Sequence, residues 1–437
     1  MFSLMLALAT IEGGVIAVFA KQTFAASVPD RTLNLLVGLL GAMGELANVL
    51  SFFWTLASHG KPKARFIMFL HAGMVACTAA IALVPSSGLV GLGLLLVCVL
   101  GARVFWSGMI TLRPTIWRQN YARSQRTRVV GVLAAVQVVV VAGMGVALGY
   151  TLDRNPGAYR VFLPAACVLA LGSVWAWSKM QVRDEDELLA QERSEQGSSV
   201  LAPWRGPLVV WEVLRRDKWY AQFMLWMFVL GFGNLTVTPT MVITLKEEFG
   251  FKYLDSILVT STIPCIFTLL ALPFWRRFLD RAHVVRFRAV HGWTFILAGL
   301  AYTLGALSHV VWWNFVGAAL MGVGFGGGSI AWNLGHVDFA PPSQTSKYMA
   351  THVTLNGVRG LFAPLAVTGA YEYFKSKGLD AHLWVQVISL CISIVGAAGF
   401  VHLRWKMGSL ADGHRRQTGP TGSPPPPKPK TRSTVSA

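Results

Sequence analysis

Apolar residues along the chain gather into twelve stretches, separated by short polar segments rich in Gly, Pro and charged side chains. The apolar core of a bilayer is about 30 Å thick, so a helix needs about 20 apolar residues to cross it. Each stretch is roughly that long. The pattern predicts twelve transmembrane helices at about residues 1–26, 32–58, 65–84, 88–112, 129–150, 160–178, 219–243, 254–275, 287–307, 309–334, 347–370 and 382–404.

The overall composition agrees with this pattern and excludes a soluble protein. The mean hydropathy is +0.52, and only 13% of the 437 residues are charged. Inside a bilayer the backbone must satisfy its own hydrogen bonds, which leaves helices and closed barrels as the possible structures. Because each stretch has the length of a spanning helix, we expect an all-α polytopic membrane protein.

Positive charge decides the predicted orientation, since Lys and Arg in short loops stay on the cytoplasmic side. With the N-terminus inside, the segments that become cytoplasmic carry most of the 38 Lys and Arg residues. We therefore expect a multi-pass protein of the cell inner membrane with both termini cytoplasmic. The outer segments carry only eight of these residues: Lys21, Arg31, Arg154, Arg160, Lys246, Lys252, Lys375 and Lys377.

The formal net charge of +18 follows from this topology and from contact with anionic lipid head groups. It therefore does not indicate a nucleic-acid partner. The five cysteines lie far apart within predicted spans, and no spacing is typical of a metal site or a disulfide framework. We expect no metal and no cofactor.

The twelve predicted helices fall into two halves. A weak internal repeat at an offset of 220 residues places Gly108 on Gly328 and Gly149 on Gly369. Parallel six-helix halves of this kind are a known transporter arrangement, with the solute site near the midplane between them. The predicted organisation is a first half at 1–178, a cytoplasmic linker with an interfacial helix at 179–218, a second half at 219–405, and a disordered, basic, Pro-rich cytoplasmic tail at 406–437.

Two loops of the predicted bundle carry related sequences, Asp280-Arg281 between the eighth and ninth helices and His59-Gly60-Lys61-Pro62-Lys63 between the second and third. Together with the two six-helix halves, these loops resemble the major facilitator superfamily over residues 1–405. The second copy of that family's motif Gly-x-x-x-Asp-Arg-x-Gly-Arg-Lys keeps its core as Asp280-Arg281, and the first copy is eroded. The loop at 118–128 is also similar to the family at that position. The resemblance implies alternating access, with Asp280 and Arg281 in gating.

The same resemblance assigns places to the helices. It implies that the first, fourth, seventh and tenth helices line a central cavity, flanked by the second, fifth, eighth and eleventh. The third, sixth, ninth and twelfth are then outer supports. His291 in the ninth helix is accordingly expected at the membrane interface.

Four charged residues at membrane depth require a partner or a purpose, because insertion of each costs about 2.5–3.5 kcal/mol. They are Glu12, Glu45, Arg103 and Arg359. Two acids against two bases allow structural ion pairs that hold helices in register. Alternatively, one carboxylate carries a coupling proton whose affinity a nearby Arg tunes. Both interpretations stay open.

Further polar residues in the predicted cavity helices are candidates for contact with a solute or proton. The eleventh helix places His352, Asn356 and Arg359 on one face. Asp338 is expected at the mouth, gating by pairing with a loop Arg. The glycine-rich run at 322–328 lies inside an apolar span, where it indicates close helix packing and not a phosphate loop. The remaining candidates are Asn234, Asn333 and His336.

These features predict a secondary active transporter that moves a small organic solute and is coupled to protons. We expect a monomer whose partners are that solute and membrane lipids. Two alternatives remain: a non-transporting sensor or assembly partner that retains the fold, and a polytopic membrane enzyme. The enzyme would need a catalytic constellation, and the polar residues show no nucleophile or metal spacing that supports one, so we expect no enzymatic activity.

Overall fold

The computed structural model describes residues 2–49, 54, 57–58, 60–121, 123–194, 206–340 and 345–408. The predicted disordered tail lies outside them from residue 409 onward. Within the described ranges all regular structure is helical. The α-helices with bounds in the described ranges are α1 Phe2–Thr10, α2 Gly13–Thr23, α3 Asp30–Val49, α4 Lys63–Ala80, α5 Gly88–Asn120, α6 Arg123–Arg154, α7 Tyr159–Ser178, α8 Glu185–Ser194, α9 Gly206–Arg216, α10 Lys218–Glu247, α11 Tyr253–Ile257, α12 Ile263–Leu279, α13 Val284–Ser308, α14 Trp312–Leu334, α15 Thr345–Ser376 and α16 Ala381–Met407.

The predicted all-α membrane fold is confirmed. Ten of the spans in the described ranges are long and apolar enough to cross a membrane. The first predicted span is absent from these ten because it is divided between α1 and α2, each too short to cross alone. The eleventh predicted span, α15, is also absent from the ten. It is long enough, but its His, Asn and Arg residues lower its mean hydropathy.

The prediction of one continuous helix over 1–26 is wrong, because the helix breaks at Ile11 and Glu12. Glu12 has an extended backbone, with φ −64° and ψ 143°, and two glycines follow it. Gly14 packs closely against the segment just before α12: a Cβ atom on Gly14 would be 2.9 Å from the carbonyl oxygen of Thr260. The break therefore occurs where the first span meets the second half of the chain.

The opposite side of this contact is also irregular. A π-helical turn, Leu258–Thr262, joins α11 to α12. Such wide turns are rare and are frequent at functional sites in helices. Asp153 at the end of α6 accepts hydrogen bonds from the backbone N–H groups of Tyr253 at 2.8 Å and Leu254 at 3.2 Å. Asp153 thereby satisfies the free N-terminus of α11 from the other half.

The described residues form two large apolar clusters and two small ones, and the large clusters divide along the chain. One cluster runs from Met5 to Val182 and the other from Val213 to Met407. Val242, Tyr253 and Ile257 are exceptions, since they pack into the first cluster. Contact between the halves is therefore apolar as well as polar near α11.

The second contact between the halves is the pairing of α3 with α15. Small residues allow the close approach: a Cβ on Gly38 would lie 2.5 Å from the Oγ1 of Thr368 and 3.0 Å from the carbonyl oxygen of Pro364. In membranes such small residues replace the hydrophobic effect as the basis of helix association. This pairing brings Glu45 of α3 next to the polar face of α15.

Candidate functional site

A cavity of about 360 Å³ lies beside the α3–α15 contact. Five helices contribute to it, and of these only α3 belongs to the first half of the chain. Its lining combines charged, amide and aromatic side chains with apolar ones. The described lining residues are Glu45, Asn48, Met227, Leu230, Gly231, Asn234, Leu235, Arg288, Phe295, Phe325, Gly328, Ser329, Trp332, Asn356 and Arg359.

A hydrogen-bonded chain crosses between the halves at the cavity wall. The amide nitrogen of Asn356 donates to Oε2 of Glu45 at 2.9 Å. The guanidinium of Arg359 donates to the side-chain oxygen of Asn356, and its Nη1 donates to the carbonyl oxygen of Met227 at 2.6 Å. Asn356 thus links the carboxylate to the guanidinium without an ion pair between them.

A glycine makes room for this arrangement. The guanidinium of Arg359 occupies the space where a Cβ on Gly231 would be. Glu45 similarly packs against Gly360, where a Cβ would lie 2.6 Å from its own Cβ. Glycines that the sequence presents as ordinary packing residues therefore leave the space that the charged side chains occupy.

Arg288 is a cavity residue that sequence analysis missed. It lies one turn into α13 and is 4% exposed. His291 holds it: Nε2 of this histidine is 2.7 Å from the carbonyl oxygen of Gly324, and Nδ1 is 3.3 Å from Nη1 of Arg288. A carbonyl only accepts, so Nε2 carries the proton and Nδ1 accepts from Arg288.

The expectation for His291 is wrong as a result. Its side chain is fully buried and stacks on Phe287, instead of lying at the membrane interface. The ninth span, α13, contributes Arg288 and Phe295 to the cavity, although the family resemblance implies an outer support.

The structure brings Glu45, Asn234, Asn356 and Arg359 of the predicted site together around the cavity. His352 lies next to them, at a small void that also touches Asn356 and Arg359. It is 1% exposed, and no described residue bonds its Nδ1.

Glu12 and Arg103 form a separate pair within the first half. Nη2 of Arg103 donates to the carbonyl oxygen of Ile11 at 2.7 Å and lies 3.5 Å from Oε2 of Glu12. Neither side chain is among the lining residues of the cavity described above. Arg103 therefore provides a hydrogen-bond donor to the backbone carbonyl at the break in the first span. This agrees with the structural interpretation of the Glu12–Arg103 pair.

Two further candidates also lie away from this cavity lining. Asn333 is exposed, and its amide nitrogen donates to the carbonyl oxygen of Ser329 in its own helix at 2.8 Å. His336 is buried in the 3₁₀ turn after α14, and its Nδ1 has no bonding partner among the described residues.

The predicted gating residues lie near the start of α13. Asp280 is exposed and 3.9 Å from Arg276, one turn earlier in the chain. Arg281 is exposed as well. Oδ2 of Asp338 accepts a hydrogen bond of 2.8 Å from the backbone N–H of Val284. Asp338 thus caps the N-terminus of α13. This backbone contact differs from the pairing with a loop Arg that the sequence predicts.

A second cross-half network lies at the end of the bundle that the charge pattern predicts to be external. Nζ of Lys21 is 2.6 Å from both Oδ1 of Asn34 and Oε1 of Glu247. Oε2 of Glu247 accepts from Lys375 and from Tyr371, each at 2.8 Å. We call these residues, with Glu372, which accepts from Asn34 at 2.6 Å, the end network.

Lys21 is 1% exposed, so it is a buried cation with a carboxylate partner and not a loop charge. The sequence carries a signal for this network that charge counting overlooks. Acidic residues accompany the basic ones in the same segments, as in Lys246-Glu247 and Glu372 before Lys375. For Arg288 the signal is its place two residues after Arg286, because side chains two residues apart on a helix point to different sides.

A two-part helical membrane bundle with a polar cavity at the contact of its halves is the architecture of a membrane carrier. The family model of the Major Facilitator Superfamily matches residues 2–364, and the chain belongs to this family. It is accordingly a secondary transporter and not an enzyme. No curated protein sequence matches the chain.

Solved transporter structures share the fold. The nucleoside transporter NupG superposes with a TM-score of 0.68 at 13% identity, covering 92% of this chain and 98% of that one. A POT family transporter in complex with 5-aminolevulinic acid gives 0.67 at 12% identity, covering 92% and 96%. The xylose transporter XylE from E. coli gives 0.65 at 11% identity, covering 93% and 96%. At these identities the likeness concerns the fold alone.

Proposed function

We propose that this protein carries a small organic solute across the inner membrane by alternating access, with Glu45 as the coupling proton site. It acts as a monomer with both termini in the cytoplasm. Its two halves are 1–178 and 219–405, joined by the linker at 179–218, and the cavity beside α3 and α15 receives the solute.

The hydrogen bond between Glu45 and Asn356 is the observation that carries this proposal. It joins a titratable group of one half to the other half at the wall of the cavity. A proton on Glu45 removes the negative charge that faces Arg359 through Asn356. Protonation and the relative position of the halves are therefore linked, and each must influence the other.

Glu12 is the weaker candidate for this role. Its partner Arg103 lies in the same half, so the ion pair that a proton on Glu12 removes is not one that joins the halves. Its side chain is 37% exposed, so this ion pair is also screened.

The end network supports an inward-facing arrangement. It joins the halves at the predicted outer end through a buried lysine and several carboxylates. The cavity lies toward the predicted inner end, because its lining includes Met227, Arg288 and Trp332 from the predicted inner parts of α10, α13 and α14. Alternating access then requires the end network to open when the inner end closes.

Transport in proteoliposomes with a pH-sensitive dye inside tests this proposal. The solutes offered are nucleosides, xylose, peptides and 5-aminolevulinic acid, for which the structurally similar transporters are named or with which they are in complex, together with aromatic carboxylates. For the solute that the wild type carries, Glu45→Gln should abolish the accompanying pH change while solute exchange between the two sides continues. Glu12→Gln and the surface control Glu187→Gln should retain both.

Two results would overturn the coupling proposal. One is proton movement that persists in Glu45→Gln, and the other is its loss in Glu12→Gln alone. If no solute of any class is carried by the reconstituted wild type, the transport proposal itself fails.

A further inference from the structure

Two arginines in the cavity wall have no acidic partner of their own. Arg288 is 4% exposed and Arg359 is 9% exposed. No described carboxylate forms an ion pair with either, and the Nε of each has no hydrogen-bond partner among the described residues. A buried guanidinium with unused donors is costly, and the cost falls when a ligand supplies acceptors.

The net charge of the cavity wall also favours a ligand that supplies acceptors, namely an anion. Among the described lining residues, Glu45 contributes one negative charge when it carries no proton, and Arg288 and Arg359 contribute two positive charges. The nearby Glu12–Arg103 pair balances itself and adds no net charge. The wall thus has an excess of one positive charge, which a singly charged anion neutralises and a neutral solute leaves in place.

Arg288 is held ready for such a ligand. His291 accepts one of its N–H groups and is itself fixed by the carbonyl oxygen of Gly324. Three aromatic rings, from Phe287, Phe295 and Trp275, contact the imidazole. His291 is therefore a positioning residue that orients Arg288 toward the cavity without touching the cavity itself.

The other walls of the cavity are aromatic. Phe295, Phe325 and Trp332 line it together with Met227 and two leucines. Aromatic walls favour a flat apolar ring, whose faces and edges they can stack against. A volume of about 360 Å³ is at the lower end of the range for small-molecule sites, so the solute is small.

We propose that the solute is an aromatic monocarboxylate, with its carboxylate at Arg288 and Arg359 and its ring among Phe295, Phe325 and Trp332. This inference rests on the proposed transport function and names the class of solute that the same cavity takes. Guanidinium groups match a carboxylate in shape as well as in charge. The amides Asn48 and Asn234 remain for polar substituents on the ring.

Binding to purified full-length protein tests the inference without any transport measurement. The probes are benzoate, phenylacetate, 1-naphthoate and indole-3-acetate, each beside its uncharged amide, with uridine and xylose as neutral references. The readout is the midpoint of thermal unfolding and isothermal titration calorimetry. We expect at least one carboxylate to bind, and its amide to bind at least about tenfold more weakly, since one ionic contact is lost.

Variants assign the binding to these residues. Arg288→Gln should remove carboxylate binding, Arg288→Lys should retain part of it, and the exposed control Arg276→Gln should leave it unchanged. Glu45→Gln should tighten carboxylate binding by about tenfold, because it removes a negative charge from a wall of moderate effective dielectric constant. This gain cannot come from misfolding.

Three outcomes would overturn the inference: no carboxylate binds, an amide or neutral reference binds as well as the carboxylates, or Glu45→Gln weakens carboxylate binding. Failure of the transport proposal has a different signature. In that case a carboxylate binds through Arg288 to the purified protein but is not carried in proteoliposomes. Transport of a neutral solute without carboxylate binding would leave the transport proposal standing and refute this inference.

Discussion

At the scale of single residues, the arginines in this bundle have different tasks that their sequence context does not distinguish. Arg103 satisfies a broken helix, whereas Arg288 and Arg359 face the cavity. The sequence identifies Arg103 and Arg359 as costly and therefore meaningful, since both lie in apolar spans. It could not separate their tasks, because the apolar pattern predicts one continuous helix over 1–26 and not the break whose carbonyl, on Ile11, Arg103 binds.

The two acidic residues at membrane depth show the same limit. Their positions in apolar spans predict that each has a partner or a purpose. Which of them meets the other half depends on how α3 packs against α15, and single-sequence patterns contain no information about that contact. The structure gives Glu45 a partner across the halves and Glu12 a partner within one half.

We predict that Arg359→Lys lowers transport about tenfold or more. The guanidinium donates to Met227 and Asn356 from two nitrogens of one plane, and a lysine ammonium cannot reproduce that geometry. Loss of one hydrogen bond from a charged group is worth about 1.5–3 kcal/mol. The check is the initial rate of solute uptake in proteoliposomes, with the exposed Arg277→Lys as control. Wild-type rates in Arg359→Lys would contradict the proposed role of this geometry.

A second prediction concerns the stability of the broken first span. Arg103→Met leaves the carbonyl of Ile11 without a donor, which costs about 1–3 kcal/mol. Glu12→Gln removes only a screened pair at 3.5 Å, worth under about 1 kcal/mol. Thermal unfolding in detergent should therefore show a clearly larger drop for Arg103→Met. Equal drops would mean that the ion pair, and not the carbonyl contact, is what Arg103 contributes.

At the scale of helices, hydrophobic periodicity and length predict most spans well because a bilayer imposes one length and one polarity on all of them. The two departures are the break between α1 and α2 and the π-helical turn before α12. They face each other across the contact of Gly14 with Thr260. Each leaves backbone groups outside regular α-helical bonding, and these groups need partners from other helices, as Arg103 provides for Ile11.

The packing of α3 on α15 gives a third prediction. Gly38→Ala should destabilise the protein by about 1–3 kcal/mol, the usual range for overpacking. The added methyl would meet Thr368 at 2.5 Å and the carbonyl of Pro364 at 3.0 Å. Gly44→Ala in the same helix is the matched control, since nothing lies within 4 Å of its Cβ position. A shift in unfolding temperature of the same size for both variants would show that helix propensity, and not this contact, is responsible.

At the scale of the whole molecule, each half has a large apolar cluster, and the halves meet at the end network and along α3 and α15, beside a polar cavity. The sequence predicts the two halves, since charge distribution and the internal repeat report them. The end network escapes this level of reasoning because its residues lie far apart in the chain, as Lys21 and Glu247 do. Only the assembled bundle makes them neighbours.

We predict that Glu247→Gln opens the predicted outer end. The carboxylate binds Lys21 and Lys375 together. Its neutral replacement leaves the buried ammonium of Lys21 with Asp30, at 3.9 Å, as its remaining charge partner, which weakens the contact between the halves. A cysteine placed at the buried Asn34 should then react faster with a membrane-impermeant maleimide added outside. Comparison is made within the Asn34→Cys background, with the native cysteines replaced by alanine. Equal reaction rates with Glu or Gln at position 247 would show that the end network does not hold this end closed.

The most direct test of alternating access is a pair of distance measurements by electron–electron double resonance in lipid nanodiscs. Labels at Arg31 and Lys377 report the end that carries the network, and labels at Arg65 and Arg277 report the opposite end. All four side chains are exposed. We predict that Glu247→Gln lengthens the first distance and shortens the second. Unchanged distances, or a change in the first without the opposite change in the second, would contradict a carrier whose halves rock about the cavity.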